Sequence, residues 1–419
     1  MQQLNGIKLI GGCKMEKDIF ARCYGFMNRV NEIKSQNKYF YFRKIDSIQG
    51  PEVVINGKKC VMLGSNNYLG LIESEKVKEA AIEATKIYGT GCAGSRLLNG
   101  STSLHEELEN TIANFFNKEA ALVFATGMQA NLGTIQSLLN NSSIRDNTLA
   151  ILDKYDHASI IDGCKLAQND FKRYPHNDMQ ALESLLKYYS DYKKLVIVDG
   201  VFSMEGDLAD LPNIITLANE HSSRVIVDDA HGIGVLGNTG RGVTEYYGLM
   251  DETDIIVGTF SKALATTGGF VVGKREVIEY IKHVGRAMLF SASLPPTLAA
   301  AAKKAFELID EEPERRTKLW ENTTYWIEGL KSLGFNIGES STPIVPVIIG
   351  DEDKTYEMCG ALENLGVFVN PVVPPAVPPG RSLLRTSIMA THTKKQLNRA
   401  LDAFEKVKKI CNLTQIEKK

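Results

Sequence analysis

From Gly64 to about residue 300, short runs of apolar, mostly β-branched residues alternate with longer stretches whose apolar positions recur every three or four residues. The runs AALVFA, LAILD, KLVIVDG, RVIVDDA, DIIVGTF and GGFVVG predict strands, and their near-continuous apolar character predicts burial on both faces. SLHEELENTIANFF, QALESLLKYY and PNIITLANEH carry the helical period between them. Strands joined by helical crossovers imply a mostly parallel α/β sheet, with ligands at the carboxyl ends of the strands. Upstream, residues 15–45 show mixed helical spacing and lead into a strand pair, EVVING and KKCVML, turning at Asn56-Gly57. Downstream, LPPTLAAAAKKAFELIDEEPERRTKLWENTTYWIEGLKSLG reads as one long helix bridging to a smaller α+β unit. That unit has strands at TPIVPVII and SLLRTSIM, helices at KTYEMCGALENLG and KKQLNRALDAFEKVKKI, and a proline-rich loop, NPVVPPAVPPGR. The expected division is an N-terminal segment 1–62, a large domain 63–300 and a small C-terminal domain 301–419.

Composition narrows the function. With 419 residues the chain can bury a sizeable core, and 43% hydrophobic and 23% charged residues are ordinary for a globular protein. A net charge of −2, with the charges interspersed, offers no electrostatic case for nucleic acid. Seven cysteines, an odd number without a CxxC pair, argue against a disulfide framework or zinc and fit a reducing cytoplasm. No apolar run approaches the roughly 18 residues of a membrane span. LIGGC near the start resembles a lipoprotein box, but no basic and apolar leader regions precede it, and Met15 is an alternative start. The lysine-rich tail is expected to fray.

The chemistry-bearing residues follow the predicted strands. Lys262 comes after DIIVG, in TFSKAL, and is succeeded by TTGGF with no other charge close by. Most lysines are surface residues; one at a buried strand end loses proton affinity to desolvation and can act as a nucleophilic amine or base. Thr259 and Ser261 beside it offer hydroxyls to a phosphate. Asp228 and His231 close RVIVDDAH. Alone, such a pair is a capping acid and a satisfied core histidine. With a strand-terminal lysine about thirty residues on, it meets the needs of pyridoxal phosphate (PLP): an acid for the pyridine nitrogen, an imidazole near the phenolic oxygen and an amine for a Schiff base.

Gly127 and Met128, in FATGMQAN, open a helix after a strand, where backbone N–H groups bind phosphate. Ser203, in DGVFSMEGD, occupies the same kind of strand end. His157, in LDKYDHASIIDG, could with Asp153 and Asp156 mark a metal, but partners at metal spacing are lacking; an imidazole over a planar cofactor is the better reading. Gly232, Gly234 and Gly237 spell GxGxxG, yet run on into GNTGRG instead of opening a helix, which argues against a dinucleotide. Asn67, in GSNNYLGL, and Arg385, in LLRTSIM, lie in opposite halves of the chain. An arginine on a strand is ordinarily half of a structural ion pair, but it can grip a substrate carboxylate with two bonds. GTGCAGSRLLNGSTSLHEELE is too glycine-dense for a simple turn between helices and reads as a tight loop near the cofactor or a subunit boundary.

From about Tyr39 to Phe404 the chain resembles the α-oxoamine synthases, fold-type I PLP enzymes that condense an amino acid with an acyl-CoA and release carbon dioxide. The resemblance rests on SNNYLGL, GTGCAGSRLLNGS, DHASIIDG, DGVFSMEGD, VDDAHGIGVLG, GTFSKAL and LRTSIMATHT, in that order. It implies a large domain with a mostly parallel seven-stranded sheet and a smaller C-terminal domain. TFSK, KYFYFRKIDS and PVVPPAVPP point to the branch that joins L-serine to palmitoyl-CoA, giving 3-ketosphinganine for sphingolipid synthesis. ATTGG after SKAL departs from the shorter glycine-rich turn of several branches. Carried over by position, Lys262 forms the imine, Asp228 meets the pyridine nitrogen, His231 and Ser203 lie near the phenolic oxygen, and His157 stacks on the ring. Gly127, Met128, Thr259 and Ser261 hold the phosphate, and Ser291 in LFSASLPP reaches the phosphate of a neighbouring subunit, which implies a homodimer with shared sites. Arg385 and Asn67 hold the amino-acid carboxylate. The alternatives are glycine with acetyl-CoA, alanine with a pimeloyl thioester, cysteate with a fatty acyl-CoA, or a non-catalytic partner subunit, as in heteromeric relatives where one subunit lacks the lysine that this chain has. A long-chain acyl substrate leaves peripheral membrane contact open.

Overall fold

The computed structural model describes residues 18–139 and 147–411. LIGGC, Met15 and the lysine-rich tail lie outside the described residues.

Thirteen strands form three sheets among the described residues. In chain order they are β1 (Glu52–Ile55), β2 (Lys58–Met62), β3 (Ala120–Phe124), β4 (Thr148–Asp153), β5 (Phe171–Tyr174), β6 (Lys193–Asp199) and β7 (Arg224–Asp228). There follow β8 (Ile255–Thr259), β9 (Gly269–Gly273), β10 (Ile344–Gly350), β11 (Val367–Phe368), β12 (Asn370–Val372) and β13 (Ser382–Ser387). The central sheet has seven strands in the order β3-β9-β8-β7-β6-β4-β5. Strands β8, β7, β6, β4 and β5 run parallel, and β9 is antiparallel to both of its neighbours. This is the mostly parallel seven-stranded α/β sheet that the resemblance implies.

Side chains alternate across a strand, and each strand of this sheet divides between two cores. Leu149 and Ile151, Val196 and Val198, Val225 and Val227, and Ile256 face one of them. Ala150 and Leu152, Leu195 and Ile197, Ile226, and Ile255 and Val257 face the other, under the helices Gly127–Leu139 and Ala158–Leu166. Val225, Ile226 and Val227 are each at most 2% exposed. Burying an aliphatic side chain this fully contributes about 1.5–3 kcal/mol.

The hairpin turns at Asn56 and Gly57, both with positive φ, as a two-residue turn between twisted strands requires. Its second strand pairs in parallel with β11, so the N-terminal hairpin shares a sheet with the C-terminal part. β12 and β10 flank β13. Two expectations are modified. The long bridging helix is two helices, Pro296–Glu311 and Glu314–Ser332, because Pro313 lacks an N–H and disfavours helical geometry at the residue before it. β5, sequence FKRY, went unforeseen because an edge strand need not be apolar throughout. Among the described residues no helix is long and apolar enough to cross a membrane.

Candidate active site

The strand period decides which residues meet. Asp199 continues the Leu195–Ile197 face of β6, Asp228 follows Ile226 on β7, and Thr259 follows Ile255 and Val257 on β8. Register places Asp199 directly opposite Asp228. All three therefore emerge at carboxyl ends of parallel strands on the face covered by the helix Gly127–Leu139, whose amino end comes with them. A cavity of about 300 Å³ opens there. Gly127, Met128, His157, Ser203, Asp228, His231, Thr259, Ser261 and Lys262 all line it, as do Thr126, Asn131, Ser159, Asp199 and Ala230.

The walls are held by hydrogen bonds. Asp228 accepts from Asn131 Nδ2 at 2.6 Å on one carboxylate oxygen and from the Ala230 N–H at 3.0 Å on the other. Asn131 Nδ2 also donates to Ser159 Oγ at 2.9 Å, and that hydroxyl lies 2.7 Å from His157 Nδ1. His157 caps the helix Ala158–Leu166, accepting from Ser159 N–H, and its own N–H donates to Asp199 Oδ2 at 3.2 Å. On the opposite wall His231 Nδ1 lies 2.7 Å from the hydroxyl of the buried Tyr68. Thr259 and Ser261 hydroxyls are 2.9 Å apart. The turn after Lys262 closes through Phe260 N–H on Gly268 O at 3.0 Å, with Ala265 at φ 59°; this is the local geometry of the unusual ATTGG.

Burial lowers the Lys262 amine to about 8, against the pull of the Asp228 and Asp199 carboxylates and with help from the Arg385 charge. Burial also depresses His157, opposed by Asp228, and drives His231 well below its ordinary value, aided by Lys262, Arg385 and His157. Both imidazoles are neutral at physiological pH. Desolvation holds the Asp199 and Asp156 carboxyls well above the usual range, with neighbouring carboxylates adding to the effect.

These residues fit PLP. Asn131 Oδ1 and Asp199 Oδ1 are buried polar atoms without a partner beside the cavity. A Cβ on Gly127 would lie 2.8 Å from Thr259 Cβ and Oγ1, so only glycine leaves the N–H groups of that helix start open to a phosphate. A buried amine of lowered proton affinity and a clamped carboxylate line the same cavity, the pairing that PLP requires.

Three expected residues stand outside this cavity. Asn67 is buried, but its Nδ2 donates to Gln49 O at 3.4 Å and its Oδ1 accepts from Ile72 N–H at 3.4 Å, which ties down the turn that follows. Beside Arg385 stands the neighbouring asparagine: Asn66 Oδ1 accepts from Arg385 Nη2 at 3.0 Å. Arg385 also donates to Ser203 O at 2.6 Å and Ser387 Oγ at 2.8 Å, so it is anchored beside the loop that carries Ser203. Ser291 Oγ accepts from Gln129 Nε2 at 2.9 Å, next to the start of the same helix but outside the cavity. Asn131, Ser159, Asp199 and Tyr68 were not singled out from the sequence. Asn131 stands one helical turn after Gly127, and Asp199 ends an apolar strand as Asp228 does, so both signals were legible. The GxGxxG glycines are loop, as expected, and two make room for acids: a Cβ on Gly232 would meet Asp229 Oδ1 at 2.1 Å, and one on Gly237 would meet Glu245 Oε2 at 2.1 Å.

A second, larger cavity of about 640 Å³ adjoins at Ser203. Ile161, Phe202, Met204 and the loop Pro374–Pro379 form apolar walls, and the exposed Lys154 and Arg173 stand at it. Glu205, also in its wall, pairs with Arg381 at 2.8 Å, joining the proline-rich loop to the Ser203 loop.

Residues 58–404 match the family described as aminotransferase class I and II. The chain is 45% identical to a serine palmitoyltransferase of Sphingobacterium spiritivorum over 404 residues, covering 96% of this chain and 99% of that one. It is also 45% identical to an 8-amino-7-oxononanoate synthase of Thermoanaerobacter pseudethanolicus over 387 residues, covering 92% of this chain and 97% of that one. A solved serine palmitoyltransferase structure with PLP as its internal aldimine has a TM-score of 0.91 at 35% identity, covering 95% of this chain and all of that one.

Proposed function

This chain belongs to the aminotransferase class I and II family, as one of its α-oxoamine synthases, and on that premise we propose that it joins L-serine to palmitoyl-CoA, releasing CoA and carbon dioxide and giving 3-ketosphinganine. It is a PLP-dependent acyltransferase. The observation that carries the choice of substrates is the second cavity: its apolar walls suit a long hydrocarbon chain, and its exposed lysine and arginine suit the phosphates of CoA.

Bound in the first cavity, PLP supplies an electron sink for charge left on a substrate carbon. The rest is work for side chains. Asp228, fixed by Asn131 and Ala230, would offer a carboxylate to the pyridine nitrogen, and His231 and Ser203 would serve the phenolic oxygen. Gly127, Met128, Thr259 and Ser261 would hold the phosphate, and Ser291 would reach the phosphate of a partner copy. Neutral His157 would pack on the ring. Arg385 with Asn66 grips the amino-acid carboxylate. Lys262 Nζ, with a proton affinity near neutrality, takes the proton from the amino acid's α-carbon. The neighbouring cavity, which shares Ser203 with the first, would hold the thioester.

We take residues 63–300 as the cofactor-holding unit and 301–419 as the unit that brings Arg385. The cytoplasm is its compartment, sphingolipid synthesis its pathway and a homodimer its working form, with peripheral membrane contact where product enters lipid. Release of CoA tests the substrates, with serine, glycine, alanine and cysteate each offered palmitoyl-CoA, acetyl-CoA and a pimeloyl thioester. Turnover should be highest with serine and palmitoyl-CoA. A protein turning over alanine with the pimeloyl thioester, and not serine, would instead be an 8-amino-7-oxononanoate synthase, the reading that the second relative favours.

A further inference from the structure

His176 follows β5 and lines neither cavity. Its Nδ1 lies 3.1 Å from Asp153 Oδ1 and its Nε2 lies 2.7 Å from Asp207 Oδ2. Asp153 ends β4, and Asp207 belongs to the loop after β6 that carries Ser203. The Asp153 oxygens already accept N–H groups from Tyr155 at 2.8 Å and Asn177 at 2.9 Å, so the imidazole must donate at Nδ1. A neutral imidazole has one N–H, whereas an imidazolium donates to both acids.

The ring is packed as closely as it is bonded. Tyr155 stacks on it with centroids 4.4 Å apart, and Phe202 meets it edge-on at 4.4 Å. Both of those aromatics line the second cavity. From Asp153 the bonds continue inward: its N–H donates to Asp156 Oδ2, Asp156 Oδ1 accepts from Asp199 N–H, and Asp199 Oδ2 accepts from His157 N–H. One ring thus ties together the loops that wall the second cavity.

We propose that His176, as an imidazolium, is a positioning residue that clasps the loops after β4 and β6 through Asp153 and Asp207, and thereby sets the wall against which the acyl thioester binds. This rests on the reading of the second cavity as the acyl-CoA site. Burial by itself would lower the ring's proton affinity, but the bonds to Asp153 and Asp207 outweigh it and raise the pKa to about 9. The clasp is therefore intact through neutral pH and opens as pH rises through about 9. The ionisable groups facing the ring are Asp153 and Tyr155 on one side and Asp207 on the other, with Glu205 and Arg381 acting on Tyr155 from beyond.

His176→Gln, which keeps one donor, and Asp207→Asn, which keeps the shape and removes a charge, test this in the PLP-loaded enzyme. Both should load PLP normally and show the native spectral change on adding serine. The KM for palmitoyl-CoA should rise roughly ten-fold in His176→Gln and roughly three-fold in Asp207→Asn, with kcat within about three-fold of native. In the native enzyme that KM should climb between about pH 8 and pH 10, and in His176→Gln it should be flat. An unchanged acyl KM, or an equal loss of PLP and serine responses, overturns the proposal; if His176→Gln does not fold, Asp207→Asn decides. A native protein that loads PLP but ignores serine and palmitoyl-CoA defeats the substrate assignment instead, so the two failures are distinguishable.

Discussion

At position 262 burial and charge pull in opposite directions. Desolvation wins over the Asp228 and Asp199 carboxylates, and the amine falls from an ordinary 10.5 to about 8. At pH 7 its neutral, nucleophilic fraction is then roughly 300-fold that of an ordinary lysine. Because the folded pKa lies below the unfolded one, this lysine costs stability at neutral pH, and the cost disappears as pH rises past about 10.5. Lys262→Ala should abolish turnover and covalent capture of PLP while raising the melting temperature of the apoprotein at pH 7, with the gain gone by about pH 11. A variant that still reddens the PLP absorbance as the native protein does would refute the assignment. The same scale explains the adjacent asparagines: Asn66 and Asn67 are indistinguishable as residue types, and only backbone direction sends one to Arg385 and the other to Gln49 O and Ile72 N–H.

Among the elements, the start of the helix Gly127–Leu139 carries the tightest constraint. Thr259 ends a buried strand, so its Cβ cannot retreat from a side chain added at Gly127. Gly127→Ala should fold with native secondary structure yet weaken PLP binding roughly ten-fold or more, read by titrating the apoprotein with PLP. Unchanged affinity would mean that the phosphate lies elsewhere. The strands obey a simpler logic. A period of two, counted from buried Ile226 and Val257, already places Asp228 and Thr259 on one face, and the apolar runs were legible as strands for the same reason. β5 and the break at Pro313 were less legible, one being polar and short, the other a single residue inside a continuous helical pattern.

For the whole molecule, the glycine-rich loop 89–102 docks on residues 291–294. Ser293 N–H donates to Gly94 O at 3.0 Å, and His105 Nε2 lies 2.8 Å from Leu294 O. The docked loop leaves Leu98 79% and Phe290 70% exposed, with Leu97 and Met128 also largely open, and Met128 lines the first cavity. Large exposed apolar side chains are what a subunit boundary covers. Leu98→Glu combined with Phe290→Glu should convert the proposed homodimer into monomers by sedimentation velocity and cost most of the turnover. A double variant that sediments and turns over like the native protein would place the boundary elsewhere.

The chain's own order of residues determined the strands, the helix starts and the chemistry at their ends: apolar periodicity dictates what is buried, and a lysine or acid at the end of a buried strand has nowhere to go but the crevice beyond it. It could not determine which way side chains turn in loops or which distant loops touch. Asn66 over Asn67 and the His176 clasp join residues far apart in the chain or differing only in backbone direction, and no spacing rule encodes them. The His176 bonds exist because the parallel strands β4 and β6, packed side by side, bring the loops after them to one place, and the Asn66 bond because β13 of another sheet carries Arg385 to it.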